Sequence, residues 1–319
     1  MQVRKLLYWA LAGLLIFYLV NHRTELLNVV RVVLHGTWYW MAFAVFFQVF
    51  HYIFHANSLR ESFASMGMPR RRREYLPITL AALAVNVVAP SLNVSGAAFV
   101  VDEMRKKGYK AVGSVIATAI AVLSDGVAFV VGALLVACFL FIKQELSAPV
   151  LLGVLFLTST VLTLVALILF FWKRPNSLNW LFSIIGKKRA HTWKEEWHKI
   201  TEVALPFKKI TPVVMYEGLS HLTNFMSLCC AFLAFGIDPV SLVPATAYVV
   251  AVIFIIFSPT PMGIGFAEGG MALAMVGQGV PEAEATAITI AFRGVSFWLP
   301  FLIGTFFLHK IQQDARHES

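Results

Sequence analysis

The sequence predicts an all-α polytopic membrane protein built from two inverted repeat units, each with a re-entrant helical hairpin. Three observations predict it. The chain of 319 residues is 59% hydrophobic and 13% charged, with 27 Phe and 8 Trp, more apolar surface than a soluble domain of that size can hide. Residues 117–129, ATAIAVLSDGVAF, and 285–297, ATAITIAFRGVSF, match without a gap at seven of thirteen positions. Upstream of each copy an apolar stretch is broken by proline and glycine, Pro90-x5-Gly96 and Pro259-x5-Gly265. The offsets, 168 residues for the match and 169 for the breaks, agree, so the likeness extends beyond one helix.

Runs such as 112–142 and 150–172 are long enough to cross a bilayer, and backbone polar groups in hydrocarbon must be satisfied within the chain, so helices are expected throughout. No alternating ten-residue segments suggest a membrane barrel. Membrane segments are placed at about 6–20, 36–55, 75–107 (broken), 110–142, 149–172, 211–235, 239–278 (broken) and 283–308. Residues 1–35 form an N-terminal anchor and interfacial segment. Leu6 to Val20 follows Arg4 and Lys5 and lacks a small-x-small cleavage site, so it is read as uncleaved. Residues 36–142 form the first repeat unit and 211–308 the second. Between them, 143–210 carries a connecting span and a polar linker with aromatic–basic stretches such as Trp193 to Lys199, read as a helix lying on the inner leaflet. Residues 309–319 are a cytoplasmic tail.

Charge sets the orientation. With the N-terminus in the cytoplasm and both broken segments re-entrant, 22 of the 26 Lys and Arg fall on the cytoplasmic side. Arg23, Arg31 and Lys143 fall outside, and Arg293 lies within a span. The net charge of +9 therefore points to anionic inner-leaflet lipid and not to nucleic acid. In this orientation each unit is the mirror of the other across the membrane plane. Trp38, Tyr39 and Trp40 fit an outer aromatic belt.

Paired helix breaks in two halves of a membrane protein point to a binding site. In the second break Pro261, Gly263 and Gly265 interrupt the helix and Glu268 follows at the start of the returning half-helix, whose N-terminus favours an anionic group. The bland reading is a structural kink. In the first break Pro90 and Gly96 are joined by Asn93 and Ser95 as polar lining. Asp125 and Arg293 occupy equivalent positions in the repeat, far from the ends of apolar spans, where a lone charge costs about 3 kcal/mol or more. They are expected to face each other as a midplane ion pair, either permanent or able to open and bind a phosphate, for which Arg is the better ligand. A further polar set is Gln48, His51 and His55 in one unit and Glu217, His221 and Asn224 in the other. His51/His55 and Glu217/His221 are spaced i,i+4 and share helix faces. Interhelical hydrogen bonding and proton handling by Glu217 and His221 are both open readings. Two histidines on one helix are weak evidence for zinc, and no metal is expected. Cys138, Cys229 and Cys230 read as small apolar packing residues.

The string Pro261-x-Gly263-x-Gly265-x-x-Glu268, with Arg293 in the last long helix, resembles the flippase-like domain of the lysylphosphatidylglycerol synthase transmembrane family. That family includes the membrane half of bacterial multiple peptide resistance factors and archaeal proteins acting near dolichol-linked sugars. Asn86-x3-Pro90-x5-Gly96 is similar to the family's first break, and the resemblance covers residues 10–308. Met262 stands where the family usually has Gly, and Ala97 where many members place Glu. The resemblance implies a multi-pass protein of the bacterial or archaeal cytoplasmic (inner) membrane, with both termini cytoplasmic, that moves a phospholipid or isoprenoid lipid between leaflets. The headgroup would meet Pro90, Asn93, Gly96, Asp125, Glu217, His221, Pro261, Gly263, Gly265, Glu268 and Arg293. No synthase domain, catalytic cluster, cofactor or nucleic-acid partner is expected; a homodimer is a candidate assembly. The alternatives are a proton-coupled transporter of a small anionic solute and an accessory protein or transferase of polyprenyl-phosphate-linked sugar metabolism.

The charge distribution makes a testable map. In a Cys-free background, single cysteines near Lys143 and Asp238 should react with an impermeant thiol reagent from outside intact cells, and those near Arg72 and Lys188 should not. Outside labelling at Arg72 overturns the inverted orientation.

Overall fold

The computed structural model describes residues 31–32, 34–68, 71–88, 94–144, 148–174, 207–258 and 260–317. The expected anchor at 6–20, the interfacial helix around 193–199, and Pro90, Asn93 and Pro259 lie outside them. All regular structure among the described residues is helical: α1 (Trp38–Ser65), α2 (Arg72–Val88), α3 (Val94–Lys106), α4 (Ala111–Ile142), α5 (Ala148–Lys173), α6 (Phe207–Ala234), α7 (Val243–Phe257), α8 (Phe266–Val276), α9 (Glu282–Arg293) and α10 (Leu299–His317). A 3₁₀ turn, Pro261–Gly263, sits between α7 and α8, and a π turn, Gly294–Trp298, joins α9 to α10.

Three stretches are long and apolar enough to cross a membrane: α4, residues Val150–Lys173 of α5, and the α9–π–α10 rod over Glu282–Asp314. Their outer faces carry large exposed apolar side chains, among them Leu135, Phe141, Leu152, Leu162, Leu302 and Phe306. Such a continuous apolar surface needs hydrocarbon around it. Helices α1 and α6, of 28 residues each, reach about 42 Å at 1.5 Å per residue but carry polar groups on their shared face.

That face organises the bundle. Thr37 bonds to the Ala234 carbonyl, Ser227 to the Ala44 carbonyl, His51 to Ser220 and His55 to Glu217. Residue numbers rise in one helix as they fall in the other, so the first helices of the two units run antiparallel. The polar side chains that keep α1 and α6 from reading as ordinary spans are thus turned onto each other, and Gln48, Ser58, Glu217, Ser220 and Ser227 are buried.

The units also interlock elsewhere. Helix α10 packs on α2, and the 3₁₀ turn of the second break touches α2, which leads into the first break; within the second unit α7 packs on α8. The main apolar core joins Phe129, Leu228, Phe232, Tyr248, Met271, Ile288 and Phe292, so α4, α6, α7, α8 and α9 share it. Gly304 brings α10 directly onto the Leu80 carbonyl, and any Cβ there would strike that backbone oxygen. Gly304→Val should therefore push α10 off α2 and cost about 2–3 kcal/mol, at the upper end for overpacking; unfolding in detergent measures it. A stability unchanged from wild type shows the contact to be dispensable.

Candidate functional site

The second break is held by its own side chains. Helix α7 stops at Ser258, which is extended, and Pro261 cannot supply a backbone donor. The Ser258 hydroxyl accepts from the Thr260 N–H at 3.0 Å and pairs with the Thr260 hydroxyl at 2.7 Å, while Thr260 donates to the Ile264 carbonyl at 2.8 Å. Left-handed or turn conformations follow: Met262 at φ +51°, Gly263 at +73° and Gly265 at +84°. Gly263 needs its missing side chain twice over, because a Cβ would also lie 2.9 Å from Ile255 Cα. Gly265 needs it for conformation alone; the space around it is open. Met262 occupies a region L-residues rarely adopt, which gives a physical reason for the glycine usual at that place.

Glu268 ties this loop to the last long helix. One carboxylate oxygen accepts from the Gly265 N–H at 2.7 Å, and the other accepts from Arg293 Nε at 2.6 Å. Arg293 Nη2 reaches the Met262 carbonyl at 3.3 Å, and the guanidinium lies over the Phe297 ring, 4.5 Å from its centre. The arginine is buried and opens the π turn, where i→i+5 bonding lets the helix bulge around it. Tyr52 of α1 donates to the Ser296 carbonyl at 3.1 Å and anchors that turn. Loop, half-helix and rod thus close on one carboxylate.

The first break is held differently. The Asn86 Oδ1 in α2 accepts from the Gly96 N–H at 2.6 Å and from the Ser95 hydroxyl at 3.1 Å. A neutral amide on the helix before the break does there what a carboxylate on the helix after it does in the second unit.

A second polar centre lies between α1, α4, α6 and α7. His55 Nδ1 is 2.9 Å from Glu217 Oε2, and His221 Nε2 is 3.0 Å from Asp125 Oδ1. The other nitrogen of His221 meets the Tyr248 hydroxyl at 3.0 Å, to which Asn224 donates at 3.3 Å. His51 Nδ1 lies 2.7 Å from the Ser220 hydroxyl, and its ring stacks parallel to His55. Potential ligand atoms of His55, Asp125 and Glu217 lie within 4.8 Å of one another.

The expected Asp125–Arg293 pair does not form. Arg293 takes Glu268 and Asp125 takes His221. Equivalence in a repeat places two residues at matching heights on matching helices but does not bring them together. Arg293 is claimed by the carboxylate of its own unit's break, and that leaves Asp125 to the histidine of α6. The shared helix face of Glu217 and His221 is seen, though each pairs with another helix and not with its neighbour. Asn86, Ser258, Thr260 and Tyr248 do work that sequence reasoning did not assign; only Asn86, four residues before Pro90 in the family-like string, carried a signal. Cys229 and Cys230 lie on α6, partly and fully buried, whereas Cys138 is exposed on the apolar outside of α4.

The fold and these buried charges define a helical membrane protein. Residues 6–304 match the family model of the lysylphosphatidylglycerol synthase TM region, so the chain belongs to that family, whose membrane domain is tied to lipid-related function. No curated protein matches the chain.

The Glu268–Arg293 contact yields a quantitative expectation. Glu268→Ala and Arg293→Ala should each cost about 3 kcal/mol by stranding a charge. The double variant should cost less than their sum by about 1–3 kcal/mol. Unfolding in detergent tests the cycle, and strict additivity removes the pair as the tie between loop and rod.

Proposed function

We propose that the protein is a lipid transporter of the flippase type, which moves the polar head of a phospholipid or isoprenoid-linked lipid across the membrane while its acyl chains stay in hydrocarbon. The observation that carries this reading is the Glu268 carboxylate shared between a non-helical backbone and Arg293. A phosphate oxygen is a strong competitor for a guanidinium and offers the same forked geometry as the carboxylate it would displace. Exchange of Glu268 for phosphate would free the Gly265 N–H at the half-helix N-terminus, itself an anion site. A headgroup can thereby be held at the cost of loosening the loop that closes the path.

The arrangement of the units supports transport. The antiparallel α1 and α6 are what two inverted units require, and the packing of the second break on α2 fits two re-entrant hairpins meeting near the membrane midplane. In this reading the chain lies in the inner membrane of a bacterium or archaeon with both termini cytoplasmic, and it transports without catalysing a covalent reaction. The His–Asp–Glu centre favours a second reading, a proton-coupled transporter of a small anionic solute. A transferase of polyprenyl-phosphate metabolism ranks third, since the polar groups lie mid-helix and not at one membrane face.

In proteoliposomes carrying a fluorescent lipid and an external quencher, the wild-type chain should expose inner-leaflet lipid to quenching, with a preference among headgroups. Gly265→Leu, Glu268→Ala and Arg293→Lys should slow this by an order of magnitude or more while the protein still inserts. Vesicles that flip no lipid under any gradient, yet accumulate a soluble anion, favour the solute transporter.

A further inference from the structure

Two carboxylates and three imidazoles are gathered from three helices: His51 and His55 on α1, Asp125 on α4, and Glu217 and His221 on α6. Transport as proposed above uses Arg293 and Glu268 and gives this centre no task. We propose that His55, Asp125 and Glu217 form a binding site for a divalent first-row transition metal ion. The geometry of the cluster carries this, and it does not depend on which cargo the protein moves.

The three ligand atoms already lie within 4.8 Å of one another, and the His55–Glu217 separation is 2.9 Å. Bonds of about 2.0–2.2 Å to a common ion would hold nitrogen and oxygen ligands about 3–4 Å apart, so the set needs to contract by roughly an ångström at its widest edge. The donors are one imidazole and two carboxylates, a set that suits zinc, iron or manganese; calcium and magnesium prefer oxygen alone.

An independent observation points into the same place. Glu217 is fully buried; its Oε2 is taken by His55, while its Oε1 forms no hydrogen bond among the described residues, although the equally unsatisfied Ser58 hydroxyl acts on the same carboxylate. A buried carboxylate oxygen without a donor is destabilising, and a metal ion removes that penalty outright. Two carboxylates this close, one of them fully buried, also need positive charge beside them, and a dication with neutral imidazoles supplies it.

The surroundings are those of a prepared site. The Asp125 carboxylate lies 3.0 Å from His221 Nε2, and that ring is itself held by the Tyr248 hydroxyl. His55 is braced by the parallel ring of His51, which Ser220 fixes in turn. Such outer partners set the direction and basicity of ligands. The site has an entrance, because the Asp125 and His55 side chains keep 44% and 38% of their surface open while Glu217 keeps none. Three protein ligands leave a coordination position free on that open side for water or an anionic group. The competing account is that two His–carboxylate ion pairs satisfy the centre with no metal at all.

The full-length chain in detergent, stripped with a chelator, then exposed to Zn²⁺ or Co²⁺ and desalted, decides between them. The metal account expects about one ion retained per chain and visible d–d absorption with Co²⁺. It also expects His221→Gln, which touches only an orienting partner, to weaken retention about 10–100-fold. Glu217→Gln and Asp125→Asn should remove it, whereas His309→Gln on the exposed face of α10 should not. Wild-type protein that retains no Zn²⁺ and shows no Co²⁺ band overturns the site, as does retention undiminished in the Glu217 and Asp125 variants. If those variants do not fold, the wild-type cobalt spectrum and the His221→Gln affinity settle the question. Metal bound by a chain that moves no lipid sinks the transport reading and leaves the metal site standing.

Discussion

A chain that stops being helical among apolar helices must satisfy its freed backbone from its own side chains, and at the second break that burden falls on Glu268. One oxygen serves the Gly265 N–H and the other serves Arg293, so a single carboxylate both closes the loop and neutralises the buried arginine. Each role depends on the other. Without the loop N–H the carboxylate would be held from one side only, and without Arg293 it would be an unpaired charge on a half-helix with an apolar surface. The π turn that begins beside Arg293, the left-handed backbone of Met262 and the tie from Tyr52 all serve to bring the guanidinium to that oxygen. The orientation of α8 against the α9–π–α10 rod follows from it.

The two units solve the same backbone problem with different chemistry. Asn86 joins the helices on either side of the first break through a neutral amide oxygen. Glu268 clasps the second with a charge that has a cationic partner. A neutral clasp has no electrostatic reason to yield to an anion, because replacing an amide by a phosphate would bury a new charge. The charged clasp already balances a negative group against Arg293, so one anion can take another's place with little change in net charge. A symmetric sequence repeat therefore carries an asymmetric device.

Much of the architecture was legible because membranes make sequence literal. The runs at α4 and α5, the second break and the antiparallel sense of α1 and α6 follow from apolar length, proline and glycine placement, and basic-residue counts. The choice of partners was not legible. Asp125 and Arg293 read as a pair because they are the charges at matching repeat positions, yet pairing depends on rotation about each helix axis, and one inserted π turn changes that rotation where the sequence shows only Arg-Gly-Val-Ser-Phe. The polar residues of α1 and α6 made those helices look like poor spans. Their meaning emerged only once the two faces were seen to be each other's solvent.

The same principle explains why the two polar centres stay separate. Charges in a low-dielectric interior pair with whatever the backbone brings within hydrogen-bond reach, and their strength grows as water is excluded. Arg293 is fenced by Glu268, the Met262 carbonyl and the face of Phe297, so an incoming anion has to compete with Glu268 for it. Asp125 and Glu217 face imidazoles, groups that can give up a proton where a guanidinium cannot. The first centre therefore keeps an ionised guanidinium, balanced by Glu268, and suits the exchange of one anion for another. The second can change its charge or exchange protons for a metal ion, and suits coupling or regulation. Had Asp125 paired with Arg293, as symmetry suggested, the arginine would be tied across the repeat and not to its own loop, and His221 would have lost its carboxylate.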